Sequence, residues 1–317
     1  MSGYDDGREE SRPRRLLATR REIRGEMRWA AVAIAAAVTI ALLTQSDMVQ
    51  LTAGAGHGAV LITGGGGGIG RAVGEMLEAE GWLVFVTVRK EADVQKISAE
   101  GRLIPIMFDV TNDAHAQPAA ERVAAVLRER SRTLDAVIAN AGINPEGDAL
   151  QEVRAATSSD GPNQLADVAV AQRVMNTNVI GVWRTVTTFL PLLQQSRRGR
   201  IMLVGSYFGS IAGPFKLRQA AYETSKFALE GMAVAMRRGF APQGIGVSLL
   251  KPGNIRTAMN PGAEDPPDVL MPAIRHALTS SSPRRRYCAG RIKGWPCWFL
   301  CWVFEMLPSA LGDKLLA

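Results

Sequence analysis

The feature that most constrains this chain is a run of glycines placed directly after a short apolar segment. Residues 59–62 predict a buried strand, and the run Thr63-Gly-Gly-Gly-Gly-Gly-Ile-Gly70 follows it. Apolar residues then recur at helical spacing from Ile69 to Leu77. A strand, a glycine turn and a helix N-terminus together form a backbone site for the pyrophosphate of a dinucleotide. The alternative is a flexible glycine loop, and the flanking strand and helix argue against it.

Further along the chain, apolar strand patterns alternate with helical patterns. Strands are predicted at residues 82–88, 103–108, 134–139 and 199–206, and a helix is predicted at 222–240. Strands that alternate with helices are typical of a parallel sheet covered on both faces. We therefore expect an α/β fold over residues 58–290, with a single Rossmann-type domain and a doubly wound parallel sheet.

The end of the second predicted strand bears on the choice of cofactor. A site selective for NAD usually places a carboxylate there, which hydrogen-bonds the ribose 2′-hydroxyl. This chain has Val88 at that position and Arg89 directly after it. Because a guanidinium binds a 2′-phosphate with two parallel hydrogen bonds, the sequence favours NADP (NADPH) over NAD. The alternative is an arginine that is only solvated at a strand end.

Tyr222 and Lys226 lie four residues apart in the predicted helix and therefore share one face. A free tyrosine, with a pKa of about 10, is a poor acid–base catalyst at neutral pH. A nearby ammonium group favours the phenolate, so we expect Lys226 to lower the pKa of Tyr222 into a useful range. The spacing Y-x-x-x-K alone is common by chance, and an ordinary surface pair is the alternative.

Together with their order along the chain, these fragments resemble the classical short-chain dehydrogenase/reductase family. The matching fragments are T-G-x-x-x-G-x-G at 63–70, Asp109-Val110, Asn140-Ala141-Gly142, Asn178, Ser206, Tyr222-x-x-x-Lys226 and Pro252-Gly253-x-x-x-Thr257. The resemblance covers roughly residues 58–317. The C-terminal region, around 286–287 and 307–313, is similar to the retinol- and hydroxysteroid-dehydrogenase branch.

The resemblance implies a role for each matching residue. Tyr222 would exchange a proton with the substrate, Lys226 would assist it, Ser206 would orient the substrate oxygen, and Asn178 would complete a proton relay. Ser206 lies further before Tyr222 than is usual, which an insertion near residues 216–219 would explain, and Ser210 is the fallback. The cofactor-binding residues would be Thr63, Gly64, Gly68, Ile69, Gly70, Arg89, Asp109, Val110, Asn140, Ala141, Gly142, Tyr222, Lys226, Pro252, Gly253, Ile255 and Thr257.

The resemblance also implies the reaction, a hydride transfer between nicotinamide and an alcohol or carbonyl carbon. From the branch we expect a small lipophilic substrate, such as a retinoid, a steroid or a fatty aldehyde, and a homo-oligomer. The segment at residues 258–283 is shorter than its counterpart in that branch, and the segment at residues 143–177 is longer.

The rival hypothesis is a non-catalytic nucleotide-binding subunit of a membrane assembly. The presence of all four catalytic residues argues against it.

The N-terminal region predicts a membrane anchor. Residues 29–46 contain no charge, and about 18 helical residues span roughly 27 Å, near the lower limit for crossing a bilayer. A basic tail, residues 1–28, precedes them and favours a single-pass anchor with a cytosolic N-terminus. A cleaved targeting peptide is the competing interpretation. The aromatic C-terminal tail, residues 291–317, suits a bilayer interface or a helix packed on the domain.

Charge and cysteine content exclude other classes of site. The net charge is +7, but the arginines cluster in short runs that suit membrane flanks or solvated surface, so no nucleic-acid partner is expected. The three histidines are scattered, and the three cysteines, Cys288, Cys297 and Cys301, show no metal-ligand pattern. The sequence therefore predicts no metal site, and the odd cysteine count argues against a disulfide framework.

Overall fold

The computed structural model describes residues 58–144, 168–211 and 219–306. The predicted basic tail, the apolar segment 29–46, most of the predicted insertion and residues 307–317 lie outside the described residues.

Helices and strands alternate along the described chain. The strands are β1 (Ala59–Ile62), β2 (Leu83–Val88), β3 (Ile104–Met107), β4 (Leu134–Ala139), β5 (Arg200–Val204), β6 (Gly246–Pro252), β7 (Arg286–Ala289), β8 (Arg291–Ile292) and β9 (Trp295–Pro296). The helices are α1 (Gly68–Ala79), α2 (Glu91–Glu100), α3 (Ala116–Glu129), α4 (Val168–Met175), α5 (Gly181–Leu193), α6 (Ala220–Phe240), α7 (Met271–Thr279) and α8 (Cys297–Met306). A π-helical turn, Asn176–Ile180, joins α4 to α5.

Seven strands of the described chain form one sheet in the order β3-β2-β1-β4-β5-β6-β7. Every neighbouring pair in it is parallel. The order reverses direction between β1 and β4, which makes this the point where an open parallel sheet offers a ligand crevice at its carboxyl edge. The predicted Rossmann-type doubly wound sheet is confirmed.

Both faces of the sheet are buried, because successive side chains of a strand point to opposite faces. In β1, Ala59 and Leu61 belong to one apolar core, while Val60 and Ile62 belong to the other. The first core lies against α3, α5 and α6, and the second lies against α1, α2 and α7. This two-sided burial explains why the strands read in the sequence as continuous apolar runs.

Residues 291–306 pack on the domain. The short strands β8 and β9 form an antiparallel pair, and α8 follows directly. Cys297 and Cys301 of α8 are buried in a small apolar cluster that includes Ile292 and the partly buried Tyr207. The aromatic side chains of this region stack on one another, with the rings of Trp295 and Phe299 5.8 Å apart, and Trp295 stays 58% exposed.

The glycine turn generates a test of packing. A Cβ at Gly70 would lie 2.5 Å from the carbonyl oxygen of Gly64 and 2.6 Å from Nδ2 of Asn140, so Gly70→Ala forces the backbone apart. Overpacking of this kind destabilises a fold by about 1–3 kcal/mol. Gly67→Ala is the matched control, since a Cβ there meets no heavy atom within 4 Å and φ is −177°, an extended conformation.

Urea unfolding of the purified variants measures both effects. We expect Gly70→Ala to lower the free energy of unfolding and Gly67→Ala to change it by less than about 0.5 kcal/mol. Equal losses in the two variants would contradict the packing assigned to the turn.

Candidate active site

The glycine turn joins β1 to α1 at the carboxyl edge of the sheet. Gly64 and Gly68 adopt left-handed φ values of +74° and +57°, which glycine accepts without strain. Gly70 lets α1 approach the turn closely, as the packing around it shows. The N-terminus of α1 therefore faces the sheet edge. Because Gly67 has no side chain, nothing at that position covers the backbone N–H groups of the helix.

Hydrogen bonds from the end of β4 fix the turn in place. Oγ1 of Thr63 accepts hydrogen bonds from the backbone nitrogens of Asn140 and Ala141, both at 3.0 Å. The Asn140 side chain donates in return to the carbonyl oxygen of Thr63 at 2.8 Å. Since Thr63 is only 1% exposed, these bonds have little competition from water.

Two adjoining cavities occupy the carboxyl edge of the sheet, with volumes of ≈ 780 Å³ and ≈ 530 Å³. The residues that line both are Gly64, Gly67, Arg89, Ala141 and Gly142. The larger cavity is also lined by Gly68, Ile69, Asn140, Ser206, Tyr222, Lys226, Pro252, Gly253, Ile255 and Thr257, and the smaller by Asp109 and Val110. Three of the site residues predicted from the sequence, Thr63, Gly70 and Asn178, line neither cavity.

The corner of the smaller cavity at the end of β2 is basic. Arg89 and Lys90 are exposed and line it, and Val88 occupies the strand end. Asp93, in the first turn of α2, lines the same cavity. Around the smaller cavity as a whole, the three cations Arg89, Lys90 and Arg173 outnumber the two carboxylates Asp93 and Asp109, so its local charge is positive.

Tyr222 and Lys226 lie one turn apart in α6 and line the larger cavity together. Nζ of Lys226 lies 5.4 Å from the centre of the Tyr222 ring and donates a hydrogen bond to the carbonyl oxygen of Val204 at 3.0 Å. Lys226 is 5% exposed, and its bond to the end of β5 anchors the helix face that carries Tyr222.

Ser206 and Ser210 have different surroundings. Ser206 lies two residues after the end of β5, is buried, lines the larger cavity and hydrogen-bonds the phenol of Tyr222. The Ser210 hydroxyl is instead bonded to Lys251 and, at 2.7 Å, to Glu305, outside that cavity. The structure therefore brings Ser206, and not the fallback Ser210, to Tyr222.

Asn178 lies in the π-helical turn and is 1% exposed. Its Oδ1 accepts from the backbone nitrogen of Ile143 at 2.8 Å, and its Nδ2 donates to the carbonyl oxygen of Ile143 and to Oγ of Ser225, both at 3.0 Å. Single π turns inside helices are frequent at functional sites. This turn connects the strand-end loop after β4 with the helix that carries Tyr222 and Lys226.

The family model for short chain dehydrogenases matches residues 58–267 of the chain. The chain belongs to this family.

Relatives and solved structures agree with this assignment. An uncharacterized oxidoreductase of Escherichia coli, YbbO, is 27% identical over 81% of this chain and 93% of its own length. Human retinol dehydrogenase 5 is 28% identical over 81% of this chain and 87% of its own length. A short chain dehydrogenase from Burkholderia cenocepacia, solved in complex with NADP, shares the fold with a TM-score of 0.63 and 23% identity, covering 82% of this chain and 98% of that one.

As a short-chain dehydrogenase, the protein is an NAD(P)-dependent oxidoreductase that interconverts CH–OH and C=O groups. The cleft suits a dinucleotide. Its glycine cradle is open at Gly67, where an added Cβ would meet nothing, and the backbone of α1 supplies N–H donors for a pyrophosphate.

The pKa of Tyr222 differs from the sequence-based expectation. We predicted that Lys226 would lower it, but burial raises the pKa of Tyr222 to about 12, and the hydrogen bond with Ser206 offsets only part of this rise. Burial also lowers the pKa of Lys226 to about 8. The side chain that was expected to supply a fixed charge is therefore itself desolvated, and the tyrosine is protonated at neutral pH.

Sequence reasoning missed several residues at the site. Ser225 accepts the hydrogen bond from Asn178 and donates at 2.6 Å to the carbonyl oxygen of Tyr222. Tyr207, Phe208, Met259 and Ile292 form apolar parts of the larger cavity's lining. No spacing signal marks these residues, because they reach the cavity from separate loops and helices.

The three cysteines were also missed as a group. Cys288, Cys297 and Cys301 were expected to show no convergent ligand set, yet their sulfur atoms all lie within 4.8 Å of one another.

No helix within the described ranges combines the length and apolarity needed to cross a membrane. The segment predicted as an anchor, residues 29–46, lies outside those ranges.

Proposed function

We propose that this short-chain dehydrogenase is an NADP-dependent enzyme that interconverts a lipophilic alcohol and its carbonyl compound. The observation that carries the proposal is the shared lining of the larger cavity. Ser206, Tyr222 and Lys226 face the same space as the glycine turn. A non-catalytic nucleotide-binding subunit would not need to retain this set in one cavity.

Arg89 supports the preference for NADP. It lines both cavities at the end of β2, where Val88 replaces the carboxylate of an NAD-selective site. Lys90 adds a second positive charge, and together these groups suit the 2′-phosphate that distinguishes NADP.

The proposed mechanism assigns proton movement to Tyr222. The nicotinamide cofactor, when bound, supplies or accepts the hydride. Tyr222 donates its phenolic proton to the substrate oxygen during reduction, and its raised pKa keeps that proton in place at neutral pH. Ser206 stabilises charge on the substrate oxygen and the phenolate by hydrogen bonding. Lys226 sits beside the phenol, and Asn178 and Ser225 hold the helix that carries both.

The walls of the larger cavity support the proposal of a lipophilic substrate. Tyr207, Phe208, Met259 and Ile292 give its substrate side an apolar surface. An apolar wall binds an apolar ligand through removal of surface from water. A relative whose name specifies retinol as its substrate is consistent with this class. We accordingly propose a retinoid, steroid or fatty aldehyde as the type of compound.

We also propose association with a membrane and with further copies of the chain. Residues 29–46 are uncharged and follow a basic tail, and β9 and α8 present aromatic side chains that include the exposed Trp295 of β9. Trp183 of α5 and Phe227 of α6 are 53% and 43% exposed, which supports a contact between copies on that side of the sheet.

The cofactor preference is tested by measuring NADPH and NADH affinities. We expect NADPH to bind more tightly, and Arg89→Ala to remove about 1.5–3 kcal/mol of the difference, the range for hydrogen bonds to charged groups. Arg122→Ala, which changes an exposed arginine of α3 that lines neither cavity, is the control and should leave the preference unchanged. Equal affinities in the unmodified protein would reject the proposal.

The catalytic assignment is tested by steady-state turnover with NADPH and a panel of lipophilic aldehydes and ketones. Tyr222→Phe should abolish turnover and keep cofactor binding, since only the proton donor is removed. Ser206→Ala should impair turnover severely. Ser210→Ala is the matched control and should retain most activity, because its hydroxyl bonds Lys251 and Glu305 outside the cavity. The reverse order of the two serine variants would show that Ser206 is misassigned.

Membrane association is tested by deletion of residues 1–52 and by fractionation of cells that express each form. We expect the deletion to release most of the protein and to leave a folded NADPH-binding domain, because β1 begins at Ala59. Full retention after the deletion would move the attachment site to residues 295–304. Sequencing the mature N-terminus separates an anchor from a cleaved peptide, and a start near residue 56 would refute the anchor.

A further inference from the structure

Three sulfur atoms converge beside the last strand of the sheet. Cys288 lies on β7, and Cys297 and Cys301 lie one turn apart on α8. Their Sγ atoms all lie within 4.8 Å of one another, and those of Cys297 and Cys301 are 3.9 Å apart. The chain contains three cysteines in all, so every thiol that it has belongs to this cluster.

The spacing of the sulfur atoms is close to that of thiolates around one metal ion. With metal–sulfur bonds of about 2.3 Å, sulfur atoms lie about 3.8 Å apart in a tetrahedral site and about 4.0 Å apart in a trigonal one. A disulfide requires about 2.05 Å. The cysteines of the structure are free, and none of the three sulfur–sulfur distances exceeds 4.8 Å.

The surroundings of the cluster favour a soft metal ion. Cys297 and Cys301 are at most 1% exposed and pack with Ile292 and Leu300, so hydration competes little with a ligand there. Within the described residues, this ligand group consists of cysteines only, without an imidazole or a carboxylate. Thiolates select zinc and copper(I) over magnesium, calcium or manganese.

A buried lysine lies next to the cluster. Lys251 is fully buried, and its carbonyl oxygen accepts from the Cys297 thiol at 3.5 Å. Its ammonium group lies 2.8 Å from Glu230 and 2.7 Å from Glu305, and Glu230 also pairs with Arg286. These two cations and two carboxylates balance one another, so the ion itself would neutralise most of the charge of three thiolates.

We propose that Cys288, Cys297 and Cys301 bind one thiophilic d10 metal ion, zinc(II) or copper(I). Three thiols lose their protons to solvent, three metal–sulfur bonds form, and nothing is oxidised or reduced. The ion ties α8 to β7, and its role is structural. It lies next to the Lys251-Pro252-Gly253 segment, whose last two residues line the larger cavity. The site is separate from Ser206, Tyr222 and Lys226.

The test uses the full-length protein, purified under reducing conditions and freed of metal by a chelator. Zinc(II) and, in a separate arm under anaerobic conditions, copper(I) are titrated in against a competing chelator, and cobalt(II) serves as a spectroscopic probe. We expect one ion per chain, a thiolate-to-cobalt charge-transfer band, and a rise in Tm as the ion binds the folded state.

Substitutions locate the ion on the cysteines. Cys288→Ser and Cys297→Ser should each weaken binding by at least about 100-fold, since even supporting groups around a metal contribute 10- to 100-fold. Ser210→Ala changes a neighbour of Lys251 that carries no sulfur, and it should bind the ion like the unmodified protein. Binding that survives both cysteine substitutions, or no binding tighter than micromolar in either arm, would overturn the proposal.

A second measurement needs no variant and so does not depend on how the variants fold. Alkylation of the native protein followed by mass spectrometry reports the accessibility of each cysteine. Cys297 and Cys301 are buried and should be protected with or without the ion, whereas the partly exposed Cys288 should be protected by the ion and become reactive when the chelator removes it. Protection of Cys297 and Cys301 without any effect of metal on Cys288 would also overturn the proposal.

Discussion

The hydrogen bonds between Thr63 and the Asn140-Ala141 turn are the constraint on which the site depends. They join the end of β1 to the end of β4, at the point where the strand order reverses. The glycine turn, the N-terminus of α1 and the loop after β4 are held in one geometry as a result. From that loop, Ile143 is bonded to Asn178, and Asn178 is bonded to Ser225 in α6. A chain of buried polar contacts thus runs from the cofactor cradle to the helix of Tyr222.

The fold could be predicted from the sequence because strands that are buried on both faces are continuous apolar runs, which are easy to recognise. The bounds of β1 and β4 agree with the predicted strands, and the helix predicted at 222–240 is α6 with two more residues at its start. The chosen cofactor residues follow strand ends, and parallel strands bring those ends to one edge. That topology explains why Asp109, Asn140, Ser206 and Pro252, far apart in the chain, border one cleft.

Properties set by packing could not be predicted in the same way. The sequence shows that Lys226 is one turn from Tyr222, but it does not show that folding desolvates both groups, which raises the pKa of Tyr222 and lowers that of Lys226. It shows three cysteines near the C-terminus, but their meeting depends on α8 folding back onto β7. The apolar walls at Phe208 and Met259 depend likewise on loops whose paths have no local signal.

A crystal structure of the protein with NADP bound tests the central claim most directly. We expect the pyrophosphate at the N-terminus of α1, the 2′-phosphate in contact with Arg89, and the nicotinamide in the larger cavity beside Tyr222 and Ser206. A cofactor bound with its 2′-phosphate away from Arg89, or a nicotinamide outside the cavity that Tyr222 lines, would contradict it.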